Sequence, residues 1–274
     1  MSVHTEIKKV TTSVLRKMKT QGEKISMLTS YDFSMASIVD KAGIDVILVG
    51  DSAANVMAGY PTTLLITLDQ MIYHAQCVVR AVSRAHVVVD MPFGYYESSE
   101  ADALRSAARI MKESGADSLK IEGGEEVLPC IQKIINAGIP VMGHLGLMPQ
   151  SVNQYGSYAL RANNESEAKK LIEDAKKLEA AGCYALVLEK IPAELAKKVT
   201  ESISIPTIGI GAGGATDGQV LVVHDMLGIN KGFTPKFLRR YANLADEMTE
   251  AIQHYISDVQ SGDFPNENEQ YLTN

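Results

Sequence analysis

Cysteine is scarce in this chain: only Cys77, Cys130 and Cys183 occur. An odd number with no close pair speaks against a disulfide framework and against a cysteine-held zinc site. A reducing compartment is the simplest expectation. Long apolar runs are missing as well. No stretch reaches the roughly 18 residues that would span a bilayer. Basic charge is short: 26 Lys and Arg stand against 33 Asp and Glu, for a net charge of -7 and a pI near 5.4. A nucleic-acid partner wants a basic footprint, so none is expected. The opening residues MSVHTEIKKVTTSVLRKMKTQGEK lack an apolar segment, contain Glu6 and hold no arginine before Arg16. They read as neither a secretory signal nor a transit peptide, and a cytoplasmic location with no membrane partner is expected. No Pro- or Ser-rich linker divides the chain, so one domain over 1–274 is expected.

What is present fits a soluble globular protein: 46% of residues are hydrophobic and 22% charged. Short runs rich in Val, Ile and Leu recur: ISMLTS (25–30), DVILVG (45–50), HVVVD (86–90), DSLKIE (117–122), IPVMGH (139–144), YALVLE (184–189) and IPTIGI (205–210), with VLVVHD (220–225) as an eighth. Near-continuous apolar runs of this length suit strands buried on both faces. Helical patterns lie between them. SSEADALRSAARIMKESG offers Ser98 or Ser99 as a cap and Gly115 as a stop, and NESEAKKLIEDAKKLEAAG ends at Gly182. AGIDVILV, SGADSLKI, AGIPVMG and AGCYALVL share a small residue and a glycine before a strand, where a helix ends and the chain turns back into a sheet. Eight such units predict an α/β protein, a (β/α)8 TIM barrel, with a doubly wound open sheet as the runner-up. TTSVLRKMKTQ predicts an extra N-terminal helix over about 11–21, TPKFLRRYANLADEMTEAIQHYISDVQSG a C-terminal helix or helix pair, and the residues from about 262 to 274 a polar tail.

Polar residues gather at the ends of these strands: Asp51 and Ser52 after the second, Asp90 at the third, Lys120 and Glu122 on the fourth, His144 on the fifth, Glu189 on the sixth. In a barrel those ends meet at one mouth, where active sites of this fold lie. Lys120 and Glu122 are two apart and so face the same side of a strand. Taken singly, Asp51 or Asp90 reads as a helix cap or a loop residue, His144 as a core histidine, Lys120 as the partner of Glu122, and Glu189 as solvated. Taken together, crowded carboxylates raise one another's pKa unless a cation neutralises them. An oxygen-rich set suits Mg²⁺ better than zinc. GIGAGGATDG (209–218) lacks the lysine and hydroxyl of a P-loop, so close packing or tight turning explains it as well as phosphate binding does. His224-Asp225 is too short a motif to identify a hydrolase, and Met148-Pro149-Gln150-Ser151 reads as loop.

TSYD (29–32), VGDS (49–52), DMPF (90–93), SLKIEGG (118–124), GHLGLMPQSV (143–152), LVLEKIP (186–192), GIGAG (209–213) and HDMLG (224–228) occur in the order found in ketopantoate hydroxymethyltransferases. The chain resembles that family from about Ser13 to Pro265. The resemblance implies a Mg²⁺-dependent (β/α)8 barrel that assembles as a homodecamer. It implies transfer of a one-carbon unit from 5,10-methylenetetrahydrofolate to 2-oxoisovalerate, giving 2-dehydropantoate. It places metal ligands at Asp51, Asp90 and Glu122, substrate contacts at Asp51, Ser52, Asp90, Lys120 and His144, and the catalytic base at Glu189. The chemistry of the residues agrees. A 2-oxo acid can chelate a cation, which acts as a Lewis acid and stabilises the enolate left when carbon 3 loses its proton. Lys120 adds positive charge beside it, and Glu189 can take the proton if it is not tied to the metal. A Mg²⁺-dependent 2-oxo acid or phosphoenolpyruvate lyase or mutase on the same barrel is the alternative. The chain departs from the family's usual sequence at Ala53-Ala54-Asn55 and over Gly156-Ser157-Tyr158-Ala159-Leu160-Arg161-Ala162, the segment tied to the folate site.

Overall fold

The computed structural model of the chain describes residues 8–271. Eight parallel strands close into a barrel in sequential order: β1 Ile25–Thr29, β2 Val46–Val49, β3 His86–Asp90, β4 Ser118–Glu122, β5 Val141–Gly146, β6 Ala185–Glu189, β7 Thr207–Ile210 and β8 Gly218–Leu221. The (β/α)8 expectation holds, and the open sheet does not, because β8 pairs directly with β1 through Met27 and Val220. The eighth strand starts earlier than its apolar run suggested. Glycine and glutamine open it, and a strand completed by pairing on both sides does not need an apolar start.

The helices are α1 Thr12–Gln21, α2 Phe33–Lys41, α3 Ala53–Val56, α4 Leu68–Val79, α5 Glu100–Ser114, α6 Leu128–Asn136, α7 Val152–Tyr155, α8 Glu165–Ala181, α9 Ala193–Ser202, α10 Val223–Met226 and α11 Leu244–Ser261. Ser99 caps α5 by accepting from the Asp102 N–H, and Gly115 ends it in the left-handed region at φ 76°. Asn164 and Gly182 bound α8 in the same way. Residues 8–222 form one compact unit containing the barrel, and 223–271 form a second. In the second unit only 244–261 of the predicted C-terminal helical stretch is a long helix. None of its residues is buried, and Met248, Ile252, Tyr255, Ile256 and Val259 stand exposed along it. The polar tail contains a short 3-10 turn at Glu267–Glu269, and residues 272–274 lie outside the described residues.

Alternate residues of each strand point into the barrel. Ile25, Met27, Val46, Leu48, Val88, Met142, Ala185, Val187, Ile208 and Val220 fill its middle. Each such side chain contributes roughly 1.5–3 kcal/mol on burial. Helix α1 joins the same cluster through Leu15, with Val10 just before it and Val14 and Met18 packed alongside. The Val10 N–H bonds the Arg84 carbonyl just before β3, so α1 closes the N-terminal end of the barrel. The floor is polar: His86 Nε2 lies 2.9 Å from Ser118 Oγ, which lies 2.8 Å from the Tyr184 hydroxyl. With floor and middle filled, space for a ligand remains at the C-terminal mouth. No described helix is long and apolar enough to cross a membrane.

Candidate active site at the barrel mouth

Strand register brings the predicted residues together. Asp90 pairs with Lys120, Glu122 with His144, and Gly146 with Glu189. Lys120 Nζ lies 3.1 Å from Asp90 Oδ1, 3.7 Å from Glu122 Oε1 and 3.1 Å from His144 Nδ1. Lys120 therefore faces the same side as Glu122 but sits closer to Asp90. His144 joins two carboxylates: Nδ1 is 3.2 Å from Glu122 Oε1, and Nε2 is 3.4 Å from Glu189 Oε2. The Asp51 N–H donates to Asp90 Oδ2 at 2.9 Å. Ser52 Oγ lies 2.8 Å from the Tyr31 hydroxyl. The helix-cap reading of Asp51 fails, since its Oδ2 accepts from Gln150 Nε2 at 2.9 Å rather than from a helix N–H. Gly146, at φ +99°, lets β5 pass close to β6: a Cβ there would lie 2.2 Å from the Glu189 carbonyl.

Asp51, Asp90, Lys120, Glu122 and His144 are each at most 5% exposed. Charged groups are almost never buried this far unless paired. Burial, then Asp90 and Glu122, push the Asp51 carboxyl up to about 8. Burial also raises Asp90, against the pull of Lys120 and the Asp51 N–H. For Lys120, burial favours the neutral amine, but Asp90, Glu122 and Asp51 outweigh it and hold the ammonium. Burial would raise Glu122 too, yet His144, Lys120 and the Gln150 N–H hold it below the usual carboxylate range. His144 is drawn down by burial and Lys120 and up by Glu122 and Glu189, and settles near 9. The mouth thus holds cations and carboxylates in close balance, with the proton affinities of both Asp51 and Asp90 raised.

Gln150 belongs to this site and was not legible as such. It sits in a 3-10 turn, Pro149–Ser151, and is 5% exposed. Its side chain and backbone reach Asp51, Met91, Tyr96 and Glu122. A polar residue after a proline at a strand exit was the only local signal, and surface loops give the same signal.

A ketopantoate hydroxymethyltransferase family model matches residues 9–267 of this chain. The chain belongs to that family. It is 68% identical to the 3-methyl-2-oxobutanoate hydroxymethyltransferase of Flavobacterium johnsoniae, over 97% of this chain and 98% of that one. It is 67% identical to the enzyme of the same name from Bacteroides fragilis, over 97% of each. Among solved structures it is similar in fold to a phosphonomutase-like protein of Burkholderia cenocepacia, at TM-score 0.64 and 15% identity over 81% of this chain and 95% of that one. It is also similar to a phosphonopyruvate hydrolase, at TM-score 0.61 and 11% identity over 94% and 92%. These two likenesses concern the fold alone.

In this member of the ketopantoate hydroxymethyltransferase family, no three His, Cys, Asp or Glu side chains among the described residues converge as a ready-made metal cage. The donor set nevertheless fits a hard divalent cation in kind. Asp51, Asp90 and Glu122 supply only oxygens, and the buried Asp90 Oδ1 and Glu122 Oε1 have only the cationic groups Lys120 and His144 beside them. Lys120 is the cation standing among them. The glycine-rich loop has a packing reason. A Cβ on Gly213, at φ +78°, would come within 2.6 Å of Ala193 Cβ in α9. His224 and Asp225 belong to α10 rather than to an eighth strand, and Asp225 Oδ1 accepts from Asn230 Nδ2 at 3.0 Å.

Proposed function

We propose that the chain catalyses transfer of a hydroxymethyl group from 5,10-methylenetetrahydrofolate to 2-oxoisovalerate (3-methyl-2-oxobutanoate), forming 2-dehydropantoate for pantothenate synthesis. The observation that carries this reading is one mouth where Asp90 and Glu122 flank Lys120 and Asp51 adjoins Asp90, while Glu189 is reached only through His144. Asp51, Asp90 and Glu122 would hold Mg²⁺, which when bound supplies Lewis acidity to the keto and carboxylate oxygens of a 2-oxo acid. Lys120 keeps its charge where substrate oxygens gather and favours the anion that forms there. Ser52, held by Tyr31, and His144 orient the substrate. Glu189 takes the proton from carbon 3. It is the least buried carboxylate of the group, with a side chain 19% exposed, and its one near cationic neighbour is His144. A base that is not neutralised by the cation site is what the step needs. Water supplies the hydroxyl oxygen: it adds to the methylene of the donor, and the protonated tetrahydrofolate nitrogen leaves. The carbon freed of its proton attacks the resulting formaldehyde carbon, and the new alkoxide takes a proton to give 2-dehydropantoate. Ten subunits in solution and a cytoplasmic location complete the proposal.

Purified protein given Mg²⁺, 2-oxoisovalerate and the folate donor should accumulate 2-dehydropantoate. No product under those conditions would sink the assignment. Mg²⁺-dependent cleavage or rearrangement of a 2-oxo acid or phosphoenolpyruvate without folate would favour a lyase or mutase instead. Cys77 in α4, Cys130 in α6 and Cys183 before β6 supply no thiol at a strand's C-terminal end for that rival. Sedimentation at a mass other than ten chains would overturn the decamer.

A further inference from the structure

Gln150 makes polar contacts, through its side chain and its backbone N–H, that tie three strand exits to one residue. Its Nε2 is 3.0 Å from the Met91 carbonyl and 2.9 Å from Asp51 Oδ2. Its Oε1 receives the Tyr96 hydroxyl at 2.7 Å, and its backbone N–H donates to Glu122 Oε2 at 3.0 Å. The orientation of the amide is determined. A carbonyl can only accept, so nitrogen faces Met91, and oxygen faces the Tyr96 hydroxyl. Tyr96 is 2% exposed, and its hydroxyl also lies 3.1 Å from the Glu122 carbonyl, so both its ring and its tip are fixed. The second N–H of the amide then has Asp51 Oδ2 as its acceptor. The backbone donation arises from the same turn: the first N–H groups of a 3-10 or α segment have no partner within it, and this one is spent on Glu122.

We propose that Gln150, oriented by Tyr96, is a positioning residue that presets Asp51 and Glu122 for the divalent cation. It holds one oxygen of each carboxylate, Oδ2 of Asp51 and Oε2 of Glu122, and so turns the other oxygen of each away from itself. On Glu122 that other oxygen, Oε1, is buried and faces the cationic groups of the mouth, 3.2 Å from His144 Nδ1 and 3.7 Å from Lys120 Nζ. The role rests on the reading of Asp51 and Glu122 as metal ligands. Gln150 itself touches neither cation nor substrate. A purely architectural Gln150 would satisfy the Met91 carbonyl and leave cation affinity alone.

Calorimetric titration of the substrate-free protein with Mg²⁺ separates these roles. Gln150→Met keeps the side-chain volume and removes the amide, and should raise the Mg²⁺ dissociation constant roughly 10- to 100-fold, the usual effect of losing a ligand's outer hydrogen-bond partner. Tyr96→Phe keeps the ring and frees the amide, and should act in the same direction by roughly tenfold or less. The double variant should be no weaker than Gln150→Met, because both residues act through one contact chain. Turnover at saturating Mg²⁺ should fall less than the affinity does. If wild-type protein binds Mg²⁺ and both variants, folded by circular dichroism, bind it within twofold of wild type, the positioning role is wrong and the metal reading survives. If wild-type protein binds no divalent cation, both fail. Should Gln150→Met not fold, Tyr96→Phe decides by the same criterion.

Discussion

His86 and His144 both project into the barrel, the first from the start of β3 and the second from the middle of β5. They are equally hidden, at 2% and 1% exposure, and yet their proton affinities move in opposite directions. His86 faces the Ser118 hydroxyl, and burial pushes it down to about 4. His144 faces Glu122 and Glu189, and although burial and Lys120 oppose it, it rises to about 9. Burial alone therefore does not set a histidine's charge. The sign is decided by how closely carboxylates are engaged: Asp117 pulls His86 up but does not outweigh burial and Lys9, whereas Glu122 and Glu189 contact the His144 ring directly. The floor is built from neutral groups that satisfy one another, with one ion pair, Lys9 and Asp117, nearby, which serves stability. The mouth gathers like charges out of water, a costly arrangement that persists where a site requires it.

Experiments at the two ends should give effects of different kinds. At the mouth, Glu189→Gln should lower kcat by roughly 10²–10⁴, the share usual for a general base, while Mg²⁺ binding by calorimetry stays near wild type. An equal loss of metal affinity would mean that Glu189 is a ligand. Gly146→Ala should press a methyl onto the Glu189 carbonyl and force a side chain into φ +99°. We expect roughly 100-fold lower turnover, the scale for about 1 Å of misplacement, together with a lower melting temperature. At the floor the readout is stability. The folded pKa of His86 lies near 4, below its ordinary value of 6.5. Its contribution is therefore complete above pH 6.5 and is lost as pH falls toward 4, by on the order of 3 kcal/mol. Denaturant unfolding at several pH values should show that loss, and His86→Gln should flatten it. If the slope is unchanged in His86→Gln, the floor histidine is not what titrates. Smallest of all, Tyr184→Phe removes one hydroxyl bonded to Ser118. It should cost about 1 kcal/mol and leave turnover intact.

The barrel was legible because each strand is a run of Val, Ile and Leu entered from a small residue and glycine. That pattern serves burial on two faces and does not depend on distant residues. The eighth strand was displaced by a few residues because Gly218 and Gln219 carry no apolar signal and are held in the ladder by β1. Lys120 and Glu122 could be assigned to one face from their spacing alone. That Lys120 would lie nearer Asp90 than Glu122 could not, because the register between β3 and β4 is a tertiary quantity. Gln150 escaped notice for the same reason: its partners Asp51, Met91, Tyr96 and Glu122 are between 28 and 99 residues away.

The sequence by itself determined the alternation of strand and helix, the closure of eight units, and the kinds of side chain delivered to the strand ends. Those are local matters of apolar periodicity, capping and residue chemistry. Only the tertiary structure decided which carboxyls gain proton affinity, which way each histidine shifts, and which amide holds which oxygen. Those depend on distances of a few ångströms between groups far apart in the chain, measured inside a medium where an unbalanced charge is too costly to leave alone.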